Sequence, residues 1–131
     1  MVHRKGIGMR KRKLKCPCIY RHFKGDMYVT LDVSKATSRQ VFKTKSYIEY
    51  MTVLHTETNE HIVIYMDANA RLFHDDKYGD ELVIYRSLSD DAGCYARPKE
   101  MFMGEIDKER YPEYIDRYRF MECKKEVKYY E

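Results

Sequence analysis

Short segments in which apolar and polar residues alternate recur along most of this 131-residue chain, and no long segment repeats with the period of a helix. Met27–Val33 is the clearest case, since Met27, Val29, Leu31 and Val33 fall on one face and polar residues separate them. Such alternation is typical of strands with one buried face. Polar turns separate the segments. The pattern therefore predicts a mostly β fold, a small antiparallel barrel or sandwich, with short helical turns.

Seven segments have the composition of strands. They are Met27–Val33, Tyr47–His55, His61–Asp67, Glu81–Ser87, Cys94–Arg97, Met103–Ile106 and Arg119–Cys123. The polar stretches 34–45 and 68–80 are predicted to be loops. Lys99–Phe102 and Pro112–Asp116 are each expected to form one helical turn.

Length and composition predict one soluble domain in the cytoplasm. The longest apolar run, Ile62–Met66, is far shorter than the ~20 residues of a membrane span. The first residues lack the apolar stretch of a secretory signal. Without such a signal the four cysteines are expected to be reduced thiols that bind no metal. They are Cys16, Cys18, Cys94 and Cys123.

Charge divides the chain into two parts. Seven of its 25 basic residues lie in residues 1–15, which contain no acid, so 18 basic residues face 21 acidic ones in the rest. We therefore predict a flexible basic arm at residues 1–15 and a single β-barrel domain at residues 16–131. The arm suits nucleic acid or another polyanion, although a solubilising tail has the same composition. The acidic excess of the body does not fit a uniformly basic nucleic-acid-binding surface.

Three blocks of sequence carry a family resemblance. They are YRHFKG at Tyr20–Gly25, ELVIYRSL at Glu81–Leu88 and YARPKEMF at Tyr95–Phe102. In this order, and followed by a tail strand within Tyr111–Phe120, they resemble the small bacterial and phage family called domain of unknown function 1653. The resemblance implies an SH3-like β-barrel and assigns no activity. This chain carries a long insertion, and either HIVIYMD or ELVIYRS can take the position of the family's Val-Ile-Tyr strand.

The family-like blocks also supply the candidate binding residues. Three nitrogen-bearing side chains crowd into four positions of the first block, and an arginine in the third block can join them in a closed barrel. With two tyrosines they predict a cationic pocket for an anionic small molecule. The set is Arg21, His22, Lys24, Tyr28, Tyr85 and Arg97. In the alternative interpretation, Arg21 and Arg97 pair with acids and are structural.

Catalysis has weaker support than binding. No Ser or Cys lies in a nucleophile motif, and no Gly-rich loop precedes a helix. We therefore expect a non-enzymatic module that uses no cofactor and binds an anionic small molecule such as a nucleotide. A ligand-sequestering role in a bacterium or phage fits this expectation. The alternative is binding of nucleic acid or protein through residues 1–15 and the aromatic sheet, and an enzyme ranks third. The sequence predicts no oligomeric state.

Overall fold

The fold is that of a computed structural model, which describes residues 12–44, 46–89 and 93–123. The strands are β1 (Cys18–His22), β2 (Met27–Thr37), β3 (Ile48–His55), β4 (Glu60–Met66), β5 (Leu72–Asp75), β6 (Glu81–Ser87), β7 (Cys94–Pro98) and β8 (Phe120–Glu122). The helices are α1 (Arg39–Thr44), α2 (Lys99–Phe102) and a 3-10 turn at Asp76–Tyr78.

Six of these strands close into a barrel in the order β2-β5-β4-β3-β7-β6, with β6 returning to β2. Most neighbours are antiparallel, but two parallel pairings complete the ring: β2 with β5, and β3 with β7. Strands β1 and β8 extend the sheet beyond β2. Because strands account for 49% of the structure and helices for 10%, the predicted mostly β barrel is confirmed.

Strand β2 serves both the barrel and its extension. Its first half pairs with β1 and its second half with β5, while β6 runs alongside both halves. An irregularity between Thr30 and Asp32 shifts the register against β6. Such a bulge changes which side chains face each side of a sheet. Tyr28 thus contacts Tyr85 outside the barrel, whereas Ser34 bonds to a histidine inside it.

Two hydrophobic cores lie on opposite faces of β6. The interior core fills the barrel with Val53, Ile62, Ile64, Leu72, Leu82, Ile84 and Ala96. The aromatic face lies outside the barrel and is built around Tyr20, Val83, Tyr85, Phe102 and Phe120. All four residues of Leu82–Tyr85 are buried, so both faces of this strand are covered. A continuous apolar run is the sequence signature of such a strand.

The returning C-terminal segment covers the aromatic face. Helix α2 follows β7 directly and buries Phe102. The chain then passes through an irregular segment, held by an isolated bridge between Glu105 and Tyr118, before β8 pairs with β1. Phe102 and Phe120 stack with their ring centroids 4.0 Å apart. This segment therefore covers part of the outer side of the sheet that carries the predicted binding residues and leaves Tyr28, Tyr95 and Arg97 half-buried.

Three predicted elements are wrong. The loop at 34–45 is the end of β2 followed by α1, and the loop at 68–80 contains β5 and the 3-10 turn. Met103–Ile106 forms no strand beyond the isolated bridge. The four-residue sequence LFHD forms strand β5 because it pairs with β2 and so closes the barrel. Local sequence patterns do not encode such a long-range pairing. Pro112–Asp116 contains a turn and α2 matches Lys99–Phe102.

The end of the predicted arm lies against the domain. The Arg12 guanidinium lies 3.9 Å from the centroid of the Tyr118 ring, and Lys15 Nζ lies 2.8 Å from a Glu122 carboxylate oxygen. Residues 1–11 lie outside the described residues. Within the described part of the chain, no helix has the length and apolar character needed to cross a membrane.

Candidate functional site

Strand pleating separates the predicted binding residues into two groups. On β1, His22 lies on the same side as buried Tyr20, whereas Arg21 between them points to the opposite side. Arg97, two residues after Tyr95 on β7, shares the side of His22. Arg21 Nη2 lies 3.0 Å from Asp116 Oδ2 and is therefore ion-paired away from the aromatic face. The structure brings His22, Tyr28, Tyr85 and Arg97 together and leaves Arg21 apart.

Arg97 is a half-buried cation whose contacts leave its charge uncompensated. Its Nε donates a hydrogen bond to the Tyr85 hydroxyl at 3.1 Å, and its guanidinium carbon lies 5.6 Å from the centroid of the Phe120 ring. Across the described residues, every ion pair involves other side chains. A phenol and a ring face position this guanidinium without neutralising it, so its charge stays available to an anion.

His22 reports the electrostatic character of this surface. Its ring packs against Phe120 at 5.0 Å, and its Nδ1 accepts a hydrogen bond from the Lys24 backbone N–H at 3.2 Å. Burial, followed by the charges of Arg97 and Lys24, lowers the pKa of His22 to about 4. A weaker effect of Arg119 acts in the same direction, and Asp26 opposes it. The imidazole is therefore neutral at physiological pH, chiefly because it is buried and secondly because cations lie near it.

Three tyrosine rings stand beside the two nitrogen-bearing groups. The ring centroids of Tyr28 and Tyr85 are 5.3 Å apart, those of Tyr85 and Tyr95 are 5.6 Å apart, and those of Tyr28 and Tyr95 are 6.4 Å apart. Tyr85 is buried, whereas Tyr28 and Tyr95 are half-buried. Burial raises the pKa of the Tyr85 phenol, although Arg97 acts against this rise. Tyr85 therefore stays protonated and adds no negative charge.

We call the resulting set the aromatic-cationic site. It consists of His22, Tyr28, Tyr85, Tyr95, Arg97 and Phe120. Lys24 lies at its rim, since this exposed residue follows β1, and its Nζ is 3.4 Å from the Tyr111 hydroxyl. The site combines the Arg97 guanidinium with half-buried aromatic rings, which is the chemistry that recognises an anion carrying a planar group.

Sequence reasoning missed two members of this site. Tyr95 has a usable signal, because alternation along β7 places it on the same side as Arg97. Phe120 has none, since it reaches the site through the pairing of β8 with β1, in which His22 lies opposite Phe120. Only the folded chain shows that the tail supplies a ring beneath Arg97.

Other constellations have a structural explanation. Ser34 Oγ lies 2.7 Å from His74 Nδ1, and His74 Nε2 donates to the Gly79 carbonyl at 2.9 Å. This arrangement resembles a nucleophile with its base and an orienting group. Both side chains are fully buried in the barrel, however, so no substrate reaches the hydroxyl. The pair satisfies hydrogen bonds inside the barrel.

A groove of about 900 Å³ beside α2 contains cations that are already engaged. Lys99 Nζ lies 3.7 Å from Glu81, and Arg117 Nη2 lies 3.1 Å from Glu105. Arg12 donates to backbone carbonyls. Because Lys99 and Arg117 are paired with carboxylates and backbone carbonyls hold Arg12, we do not assign the anion to this groove.

Neither metal ligation nor disulfide formation marks a site in the described residues. No three His, Cys, Asp or Glu side chains there group closely enough to hold a metal ion. The four cysteines are free thiols, and Cys16 and Cys18 have pKa values raised chiefly by burial.

Comparison with known proteins identifies one matching family, and the description of that family names no activity. A family model described as "Protein of unknown function (DUF1653)" matches residues 70–122. The match contains ELVIYRSL and YARPKEMF, and of the two Val-Ile-Tyr strands it includes only ELVIYRS. YRHFKG lies outside the matched residues, but β1 brings this block against the matched tail through its pairing with β8. No curated protein and no solved structure matches the chain.

Proposed function

We propose a function from the site itself, because the description of the family model that matches residues 70–122 names no activity. The protein is a non-enzymatic binding module that takes an anionic small molecule, a nucleotide, at the aromatic-cationic site. A ligand-sequestering role in the cytoplasm of a bacterium, or on behalf of a phage, fits such a module.

The uncompensated charge of Arg97 is the observation that carries this proposal. Its guanidinium is held by Tyr85 and Phe120, and its charge adds to the effect of burial in lowering the pKa of His22. Like charges gathered around one point repel each other when the site is empty. A bound anion relieves this repulsion and gains charge-assisted hydrogen bonds from a preoriented donor.

The tyrosines support a planar group on that anion. Tyr28 and Tyr95 are half-buried, and contacts with Tyr85 hold both rings near Arg97. Aromatic faces and edges bind nucleobases with modest selectivity, while phosphate binds the guanidinium. A nucleoside phosphate satisfies both halves of the site at once, which inorganic phosphate alone does not.

Nucleic-acid or protein binding through the basic arm is the second candidate. Arg12 and Lys15, at the end of the arm, are engaged with the domain and offer less charge than the sequence count indicates. Residues 1–11 lie outside the described residues. This candidate predicts that affinity depends on the arm and falls steeply with salt.

Calorimetric titration with adenosine and guanosine 5′-monophosphates, at fixed ionic strength, tests the proposal. Arg97→Ala should weaken binding by about 1.5–3 kcal/mol, the scale of a charge-assisted hydrogen bond. Arg21→Ala is the matched control, because it removes the same charge from the opposite side of the same sheet. We expect its affinity to stay within about twofold of the unmodified protein.

The two candidates give different patterns in this experiment. Equal affinity of the two variants for every nucleotide contradicts the proposed site. Loss of affinity in a chain lacking residues 1–11, with Arg97→Ala unchanged, supports the arm instead. Mass spectrometry of the denatured purified protein provides an unbiased check, since a tightly held nucleotide is then released and detected.

A further inference from the structure

A second cavity lies on the other side of the barrel, between the start of β3 and the turn from β4 to β5. It has a volume of about 480 Å³, within the range of small-molecule sites. The lining residues on which the inference depends are Ser46, Tyr47, Asp67, Asn69, Arg71 and Phe73. None of them belongs to the aromatic-cationic site. Most precede residue 70, so the cavity is built largely from the segment before the family match.

One wall of this cavity is a turn fixed by a single carboxylate. Asp67 Oδ1 accepts hydrogen bonds from the backbone N–H groups of Asn69 at 3.0 Å and Arg71 at 2.9 Å. Asp67 Oδ2 lies 3.1 Å from Arg71 Nε and 3.0 Å from Arg71 Nη2. These bonds, the backbone bond from Arg71 first, lower the pKa of Asp67. The carboxylate therefore stays charged, and its Oδ2, which contacts both Nε and Nη2, compensates the charge of Arg71.

The opposite wall is aromatic and equally well supported. The Tyr47 ring stands edge-on to Phe73 at 5.5 Å and to Phe42 at 5.3 Å between centroids. Phe42 in turn stacks on Tyr65 at 4.0 Å, with 24° between the ring planes. Tyr47 and Phe73 are half-buried, so part of each ring faces the cavity. Four rings in mutual contact hold this wall in place without a ligand.

We propose that this cavity binds a nucleobase, without selecting the phosphate attached to it. The aromatic wall supplies a stacking surface, which every base accepts. The exposed side-chain amide of Asn69 has a hydrogen-bond donor and an acceptor side by side, as recognition of the edge of a base requires. The Ser46 hydroxyl lines the same cavity. Because Asp67 compensates Arg71, the cavity presents no uncompensated charge for phosphate.

This pairing of walls distinguishes the cavity from the aromatic-cationic site. There the rings accompany an unpaired guanidinium, whereas here they accompany an amide and a neutralised ion pair. The base comes from one of two sources, a free nucleoside or a flexible single strand. Both have the same chemistry, and the experiment separates them.

The test is an NMR titration of the full chain, following the side-chain NH2 signals of Asn69 and the Nε–H signal of Arg71. The probes are adenosine, cytidine, guanosine and uridine, and a six-nucleotide single-stranded DNA of mixed sequence. We expect saturable shifts of both signals. Shifts with nucleosides identify the free compound as a sufficient ligand, and shifts with the oligonucleotide alone identify a base within a strand.

Two variants make the test specific. Asn69→Ala alters an exposed side chain and should weaken binding by about two- to tenfold, the scale of one neutral hydrogen bond. Tyr47→Leu should weaken it by roughly fivefold or more through lost stacking. Tyr50→Leu is the control, since Tyr50 lies in β3, three residues after Tyr47, is 52% exposed and does not line the cavity. No shift with any probe at millimolar concentration, or unchanged affinity in Asn69→Ala, overturns the proposal.

Discussion

The two faces of β6 treat polar groups in opposite ways. Inside the barrel, Ser34 and His74 are hydrogen-bonded to each other, and His74 also donates to a backbone carbonyl. Among the buried side-chain nitrogen and oxygen atoms of the described residues, Nε2 of His55 is the exception that has no hydrogen-bond partner. On the aromatic face, Arg97 meets rings and a phenol rather than a carboxylate. The interior is organised for folding. The outer face retains charge that a ligand is expected to compensate, although both faces rest on one strand.

This difference explains why burial alone does not identify the site. His74 and Tyr85 are both almost completely buried, yet only Tyr85 holds a cation that reaches the surface. A polar group that is satisfied within the protein contributes to stability, whereas a charge left uncompensated is costly unless it has a function. Substitutions on the two faces should therefore affect different measurements.

The largest loss of stability is expected from the interior core. Leu82 is fully buried, and Leu82→Ala should lower the free energy of unfolding by about 2–5 kcal/mol by leaving a cavity. Chemical denaturation measures this loss. Leu88→Ala is the control, since Leu88 is 49% exposed and should change stability by less than about 0.5 kcal/mol. Similar effects of the two substitutions would show that the barrel interior is not the core.

A smaller loss should follow removal of the hydroxyl inside the barrel. Ser34→Ala leaves His74 Nδ1 without its donor at 0% exposure, and the expected cost is about 1–3 kcal/mol of unfolding free energy. Thermal or urea denaturation is sufficient to detect it. Ser46→Ala, at an exposed position before β3, should be close to neutral. If Ser34→Ala proves equally neutral, the interior polar pair is not important for stability.

Acidification should weaken the fold through the histidines on both faces. The pKa of His22 is lowered to about 4 and that of His74 is lowered by burial, so the unfolded chain binds more protons below pH 6.5. The free energy of unfolding should therefore fall as the pH decreases from about 6.5 toward 4. His22→Gln should flatten this dependence. An unchanged pH profile in that variant would contradict the predicted environment of His22.

The smallest effect on stability is expected at the two arginines that the sequence singled out. Arg21 and Asp116 are partly exposed, with side-chain exposures of 39% and 26%, so Arg21→Ala should cost no more than about 1 kcal/mol. Arg97→Ala should cost about 1 kcal/mol by removing the donor to Tyr85. Melting curves of both variants measure this. A loss of 3–5 kcal/mol in Arg97→Ala would make it a structural residue and would end its candidacy as a ligand anchor.

Local patterns predicted most of the strands, but they failed where long-range pairing decides. They also gave the wrong buried face for β2, in which Thr30 and Ser34 are buried and Leu31 is exposed. Glu81–Ser87 and Lys99–Phe102 were predicted with the bounds that the structure shows. Strand β5 was missed, because its four residues become a strand only through barrel closure. At the site, alternation places His22 on the side of Tyr20 and Arg97 on the side of Tyr95, each within its own strand. It cannot place Phe120 beneath them, since β8 arrives from the far end of the chain.

The central claim is that the aromatic-cationic site holds an uncompensated positive charge that binds an anion. The pKa of His22 tests it most directly, because the charges of Arg97 and Lys24 lower this pKa in addition to burial. NMR titration of its ring signals from pH 3 to pH 8 should give a pKa of about 4 in the free protein. Saturating adenosine 5′-monophosphate should raise this pKa markedly, since bound negative charge stabilises the imidazolium. Arg97→Ala should raise the pKa in the free protein and abolish the response to nucleotide. A pKa near 6.5 in the free protein that no nucleotide changes would contradict the account.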